Sequence, residues 1–378
     1  MKRIYLDNQA STPLDARVAA AMANAGYGNP HAGSHAVGWE AATKIDMARQ
    51  QIASLIDADA DEIFFTSGAT ESNNLAIQGL RQMAQQGRHR LLVSAIEHKS
   101  VIAACEYMVE AHGFKLTVLP VSRDGMLDID RLTAELDAHT ALCSIGCVNN
   151  EIGTIQDIRE IGRICRDAGV LLHSDAAQSP EAMDMAGLAD VCDFMSLSAH
   201  KMHGPMGVGA LYISRNCQPN VMPLFFGGGQ QENIRPGTLP LNLCVGMGEA
   251  ARLCTEEADT RTEVSRLRDL LLTELKKHGT HFTLNGPISH ARHPGNANIC
   301  LEDVDSEQLI GILQPWIAAS TGSACNSGTI EPSYVLAAIG LSREQAGMSI
   351  RFSVARNNSE DQIKESARMI ANAVTSCV

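Results

Sequence analysis

The sequence has no long apolar run and none of the cysteine spacings typical of metal or redox sites. No apolar stretch approaches the ~18 residues that span a bilayer, and neither Cys-x-x-Cys nor a Cys/His cluster with zinc spacing occurs. Met-Lys-Arg-Ile-Tyr leads straight into strand-like sequence, so we expect no signal peptide. These absences predict a soluble cytoplasmic protein with no metal site and no membrane contact.

Composition and charge narrow the class further. Hydrophobic residues make up 45% and charged residues 19% of the chain, which is typical of a globular protein. The formal net charge of −13 repels phosphate backbones, so we expect no direct contact with nucleic acid. A length of 378 residues suits one large α/β domain and a smaller one.

Eleven cysteines in a chain of this length are too few for a disulfide scaffold, and an odd number leaves at least one of them unpaired. Six lie in apolar surroundings and are expected to be small buried hydrophobes: Cys105, Cys143, Cys165, Cys192, Cys244 and Cys300. Cys325 differs because its neighbours are small and polar. An accessible loop thiol of this kind is a candidate catalytic nucleophile.

Short β-rich runs alternate with amphipathic helical stretches between residues 60 and 213. The predicted strands are Glu62–Thr66, Leu91–Ala95, Lys115–Val121, Ala141–Val148, Val170–Asp175, Phe194–Ser198 and Val208–Ile213, with helices such as Leu75–Gln86 and Ile158–Ala168 between them. This alternation predicts a mainly parallel sheet covered by helices on both faces, with ligands at the carboxyl ends of the strands.

The last third of the chain predicts a small α+β domain. Pro240–His278 is expected to form one long helix or two broken ones. Strands follow at Phe282–Leu284, Ala297–Leu301, Ile317–Thr321 and Ser349–Val354, with helices at Ser306–Leu313 and Glu360–Val374. The first ~15 residues and the helix around Trp39–Ile56 are expected to pack on this domain or on its interface with the larger one.

Three short motifs follow predicted strands and carry polar groups suited to chemistry. Thr66–Ser72 suits a phosphate at a helix N-terminus, or is a simple helix cap. Asp175 can bind a protonated ring nitrogen, or cap the next helix. Lys201 lies among Ser198, His200 and Gly204 and is an amine nucleophile, or an ordinary exposed lysine.

Together these motifs supply what pyridoxal 5'-phosphate requires of a protein: a phosphate cradle, an acid for a ring nitrogen and a lysine for the aldehyde. Arg351 alternates with apolar residues in a predicted strand. Its planar guanidinium suits a substrate carboxylate, although a structural ion pair explains it equally well.

The chain resembles the cysteine desulfurases, pyridoxal-phosphate enzymes of fold type I (aspartate aminotransferase-like), from Tyr5 to about Ile370. The matching segments are residues 5–7, 28–30 with 34–35, 66–74, 97–99, 148–153, 173–178, 198–209, 227–229 with 237–238, 323–334 and 349–353. The resemblance implies a large domain over residues 14–255. It also implies a small domain made of residues 1–13 and 256–378, which carries a mobile cysteine loop at about 321–332.

The resemblance implies a role for each matching residue. Lys201 binds the cofactor and moves a proton, Asp175 pairs with the ring nitrogen, Gln178 contacts the phenolic oxygen, and His98 stacks on the ring and is catalytic. The phosphate is held by Ala69, Thr70, Ser198 and His200, together with Thr238 from the other subunit of a homodimer. Asn150 contacts the cofactor and, with Arg351, orients the substrate L-cysteine. Cys325 takes its sulfur as a persulfide and releases alanine.

Several positions depart from the family pattern, notably Asn8-Gln9, Cys147 and residues 230–236. They leave the acceptor protein open between an iron–sulfur scaffold, a tRNA-thiolation relay and a DNA-modification system. Two further enzyme activities fit the same cofactor: aminotransfer, and β-elimination from selenocysteine or a related substrate. A non-catalytic sulfur-relay subunit is the alternative of another class.

Overall fold

A seven-stranded sheet forms the centre of the molecule, which the computed structural model describes over residues 3–321 and 333–377. The strands within these residues are β1 (Ile4–Tyr5), β2 (Ile63–Thr66), β3 (Arg90–Ser94), β4 (Lys115–Leu119), β5 (Thr140–Ser144), β6 (Leu171–Asp175), β7 (Phe194–Ser198), β8 (Gly209–Ile213), β9 (Phe282–Leu284), β10 (Asn296–Leu301), β11 (Ile317–Ala318) and β12 (Ser349–Ser353). The order in the large sheet is β2-β8-β7-β6-β5-β3-β4.

The sheet is mainly parallel, as the alternating sequence pattern predicts. Strand β8 runs antiparallel to its neighbours β2 and β7, and every other pair is parallel. All seven strands predicted between residues 60 and 213 are present, with ends shifted by a few residues. Because alternate strand residues enter two separate apolar clusters, both faces of the sheet are buried.

The helices cover these faces and the smaller sheet. They are α1 (Ala16–Ala23), α2 (Ala36–Ser54), α3 (Ala69–Gln78), α4 (Lys99–His112), α5 (Ile129–Glu135), α6 (Ile158–Asp167), α7 (Leu241–Glu256), α8 (Thr260–Lys277), α9 (Ser306–Leu313), α10 (Tyr334–Ala338), α11 (Arg343–Gly347) and α12 (Glu360–Cys377). The 240–278 region is therefore two helices. The prediction of a helix over Leu75–Gln86 was wrong at its start, because α3 begins at Ala69 and a 3-10 turn covers Arg81–Gln86.

The carboxy-terminal strands and helices form a second, three-stranded sheet with helices packed against it. Strand β10 pairs with β9 and β12, and helices α8 and α12 pack over them around Leu271, Ile299 and Ile370. The amino-terminal β1 pairs with β11, as expected for the first residues. The expectation for the helix around residues 39–56 was wrong: α2 buries Ile45 and Ile52 in the core of the large sheet. The predicted division at residues 13/14 and 255/256 stays a prediction.

The buried cysteines follow the apolar pattern with one exception. Cys105, Cys143, Cys165, Cys192 and Cys244 are buried, as predicted. Cys300 is only half-buried, because it lies on β10 next to the Gln345 carbonyl, to which its thiol donates. All ten cysteines of the described residues are free thiols. None of the described helices combines the length and apolarity needed to cross a bilayer.

Candidate active site

A cavity of about 690 Å³ opens at the carboxyl edge of the large sheet. Its walls include the segments that follow β2, β3, β5, β6 and β7, the strands that run in one direction. Residues 7 and 9–11, together with Arg351, contribute further lining. It gathers ten of the twelve predicted site residues: Ala69, Thr70, His98, Asn150, Asp175, Gln178, Ser198, His200, Lys201 and Arg351. Thr238 lies outside the cavity, on the surface. Cys325 falls outside the described residues.

Helix α3 points its N-terminus into this cavity. Ser67, Gly68, Ala69 and Thr70 line the wall, and the first amides of a helix have no partner within it. Gly68 has a φ of +151°, which side-chain-bearing residues rarely adopt. A Cβ on Gly209 would lie 2.6 Å from the Gly68 Cα, so two glycines let β8 and the turn approach closely. The helix dipole and its free amides suit a phosphate.

Glu71, in the first turn of α3, is paired with Arg235, which belongs to the 230–236 segment that departs from the family pattern. Arg235 Nε donates to Glu71 Oε1 at 2.7 Å, and the Ser67 amide donates to Glu71 Oε2 at 2.7 Å. Burial raises the pKa of Glu71, but these hydrogen bonds outweigh it and the net shift is downward. The segment that departs from the family pattern therefore supports the cradle directly.

The amine of Lys201 lies against the amino-terminal segment of the chain. Lys201 Nζ donates to the Gln9 carbonyl at 2.6 Å and to the Ala10 carbonyl at 2.9 Å. The Gln9 carbonyl also accepts from Gln178 Nε2 at 2.8 Å. Sequence reasoning noted Gln9 only as a departure, and its backbone role carries no side-chain signal. These contacts hold the amine at the cavity wall.

The carboxylate of Asp175 ends β6 and is held from two sides. Its Oδ1 accepts from the Ala177 amide at 3.0 Å, and its Oδ2 accepts from Asn73 Nδ2 at 2.7 Å. The first contact forms a local turn rather than the helix cap that the sequence left open as the alternative, because residues 176–187 contain no helix. The second contact reaches across to α3, so the carboxylate is fixed at the cavity edge.

The neighbouring His200 is neutral. Burial, together with the charge of Lys201, lowers the pKa of His200 to about 4. Its Nδ1 lies 3.2 Å from Ser11 Oγ. A neutral imidazole can still donate one hydrogen bond to an anion.

Arg351 combines both alternatives left open by the sequence. It is 5% exposed and lines the cavity. Its Nη2 donates to Asp7 Oδ1 at 2.7 Å, and its Nη1 donates to the Asn150 carbonyl at 2.8 Å. Its Nε is buried without a hydrogen-bond partner. An ion pair is therefore present, and the guanidinium keeps a donor for a further acceptor.

Two buried carboxyl groups in the cavity wall were missed from the sequence. Burial raises the pKa of Glu97 and of Glu151 to about 7 each. Glu97 Oε1 accepts from Ser94 Oγ at 2.5 Å and from the Gly146 amide at 2.9 Å. Glu151 Oε2 accepts from Ser333 Oγ at 2.5 Å. Each glutamate lies next to a residue the sequence singled out, but its burial depends on distant segments.

Cys147 is a structural thiol. It is fully buried, and burial raises its pKa to about 11. Its Sγ donates to Met183 Sδ at 3.3 Å. A protonated, buried thiol of this kind is chemically inert.

Comparisons with known proteins agree with this site. The family model for aminotransferase class-V matches residues 4–365. The chain is 41% identical over 375 residues to a protein named cysteine desulfurase IscS from Rickettsia rickettsii (strain Iowa), covering 98% of this chain and 91% of that one.

Comparison with solved structures supports the same fold and family. A structure titled NifS-like protein has a TM-score of 0.91 at 31% identity, covering 99% of this chain and all of the other. A structure titled SspA in complex with cysteine has a TM-score of 0.80 at 33% identity, covering 93% of this chain and 98% of the other. The fold class and the family resemblance drawn from the sequence are confirmed. This chain belongs to the aminotransferase class-V family and, within it, to the cysteine desulfurases.

Proposed function

We propose that this protein is a pyridoxal-phosphate-dependent cysteine desulfurase that releases L-alanine from L-cysteine and keeps the sulfur as a persulfide on Cys325. The observation that carries the proposal is the single cavity that contains Lys201, Asp175, His98 and Arg351 beside the N-terminus of α3. The near full-length similarity to proteins named cysteine desulfurase supports the same activity.

The residues present fit pyridoxal phosphate. The Gly68 turn leaves space where a side chain would stand, since a Cβ there meets no atom within 4 Å, and α3 offers free amides to a phosphate. Asp175 is an anchored carboxylate for a ring nitrogen, and Lys201 supplies an amine on the same wall. When bound, the cofactor supplies an aldehyde for an amine and a ring that accepts electron density from the substrate.

Side chains of the protein would move the proton, face the ring and orient the substrate. Lys201 would move the proton of the substrate Cα, and His98 would face the ring. Arg351 and Asn150, which both line the cavity, would orient the substrate carboxylate. The structure titled SspA in complex with cysteine supports L-cysteine as substrate.

The sulfur step balances without an external oxidant. The Cys325 sulfur forms a bond to the sulfur of L-cysteine, and the Cβ–S bond of the substrate breaks. The electron pair of that bond stays with Cβ, which then takes up one proton, equivalent to the proton that the Cys325 thiol loses. One thiol and one L-cysteine thus give one persulfide and one L-alanine.

The assembly and partners belong to the same proposal. The enzyme acts in the cytoplasm as a homodimer in which Thr238 of each subunit reaches the phosphate of the other site. Its exposed position outside its own cavity is consistent with this role. The persulfide passes to an acceptor protein of iron–sulfur assembly, tRNA thiolation or DNA modification.

Product analysis tests the proposal. The purified protein, incubated with pyridoxal phosphate, L-cysteine and a thiol reductant, is expected to form equal amounts of L-alanine and sulfide, with no α-keto acid required. The Cys325→Ser variant should lose both products, whereas Cys300→Ser, which changes a half-buried thiol outside the cavity, should keep them. Pyruvate in place of alanine would support β-elimination, and dependence on an α-keto acid would support aminotransfer. No turnover in a protein that binds the cofactor would support the relay role.

A further inference from the structure

A chain of three hydrogen bonds joins Asp175 to His98. Asn73 Nδ2 donates to Asp175 Oδ2 at 2.7 Å and to Ser100 Oγ at 2.8 Å. Ser100 Oγ lies 2.7 Å from His98 Nδ1. Asn73 is fully buried on α3, the helix whose first turn forms the phosphate cradle. One helix therefore connects the cradle, the acid and the histidine.

The chemistry of the groups fixes the direction of each hydrogen bond. The Asp175 carboxylate only accepts, so the nitrogen of the Asn73 amide must face it. The second N–H of that amide donates to Ser100 Oγ, whose own proton stays available for His98 Nδ1. The backbone amide of Ser100 also donates to His98 Nδ1, at 3.2 Å. Two donors at Nδ1 leave the proton of a neutral imidazole on Nε2.

We propose that Asn73 and Ser100 are positioning residues that hold Asp175 and His98 in one arrangement and place the proton of neutral His98 on Nε2. The catalytic significance of this arrangement rests on the proposed function, in which both residues contact the cofactor. The tautomer itself is set by these four side chains and the backbone amide of Ser100. It therefore has a readout that does not depend on turnover.

Nitrogen NMR of histidine-labelled protein tests the tautomer. At a pH where the ring is neutral, His98, assigned by its loss in His98→Gln, should carry its proton on Nε2. Ser100→Ala removes one of the two donors, and the tautomer ratio should fall roughly threefold to tenfold, the value of one hydrogen bond. Ser100→Thr keeps the hydroxyl and should restore the ratio. A proton on Nδ1 in the unchanged protein, or an unaltered ratio in Ser100→Ala, would overturn the proposal.

Kinetics of matched variants tests the positioning. Asn73→Ala should lower kcat for alanine formation roughly tenfold with little change in KM, and shift the pH midpoint of the cofactor absorbance band near ~420 nm. Asn74→Ala removes a neighbouring amide that bonds to the Thr70 carbonyl within α3 and should leave both unchanged. Equal behaviour of the two variants would contradict the positioning role. If the unchanged protein forms no alanine, the proposed function is wrong. The NMR experiment would still test whether Asn73 and Ser100 place the His98 proton on Nε2.

Discussion

Replacing Glu97 by glutamine should make the protein more stable at alkaline pH and change little at acid pH. Glu97 is 2% exposed, its Oε2 has no hydrogen-bond partner, and the charge of Asp175 adds to the effect of burial. Its pKa rises from 4.5 to about 7. Between these values the folded state holds a proton that the unfolded state has released, so stability falls as the pH rises through this window.

The magnitude follows from the size of that shift. Each pKa unit corresponds to about 1.4 kcal/mol, so ionising Glu97 costs the folded state roughly 3 kcal/mol once the pH exceeds about 7. Glutamine resembles the protonated acid and does not ionise. The stability difference between Glu97→Gln and the unchanged protein should therefore move by roughly 2–3 kcal/mol in favour of the variant between about pH 5 and pH 8.

Urea unfolding followed by circular dichroism at the two pH values measures this difference. Other titrating groups are shared by both proteins and cancel. Glu40→Gln, which changes an exposed residue of α2, should show no such pH-dependent gain. If the difference in free energy of unfolding is equal at both pH values, or if the variant becomes relatively less stable at alkaline pH, then ionisation of Glu97 does not destabilise the folded protein.

Two further predictions concern the walls of the cavity. Arg351→Lys should raise KM for L-cysteine roughly tenfold or more, about 1.4 kcal/mol, with a smaller change in kcat, because lysine lacks the planar fork that bonds to a carboxylate. Steady-state kinetics measures both constants. An unchanged KM would mean that Arg351 serves only its ion pair with Asp7. Gly209→Ala should weaken cofactor binding roughly tenfold, because the added Cβ would lie 2.6 Å from the Gly68 Cα. Absorbance titration measures this, with Gly311→Ala, where a Cβ meets no atom within 4 Å, as the control whose affinity should not change.

The strands and the motifs were predictable because their signals are local. Apolar runs such as Phe194–Ser198 end in polar residues, and parallel strands bring those ends to one edge. The same logic places the motifs around Thr70, Asp175 and Lys201 at one shared site. The start of α3 was missed because the small polar residues at 69–74 favour turns as much as helices.

The supporting residues were not predictable because their roles arise from distant contacts. Glu97 accepts a hydrogen bond from the Gly146 amide, 49 positions away, and the Gln9 carbonyl meets Lys201 across 192 positions of sequence. Helix α2 was assigned to the wrong layer because its amphipathic pattern does not specify which surface it covers. Tertiary packing decides these features, and a single sequence carries no direct record of it.

The most direct measurement is chemical labelling of the amine on which the whole account depends. The protein, incubated with pyridoxal phosphate and reduced with borohydride, should carry the cofactor on the peptide that contains Lys201. The nearby exposed Lys99 provides an internal comparison and should stay unlabelled. A protein that still releases sulfur from L-cysteine while Lys201 remains unmodified would contradict the account.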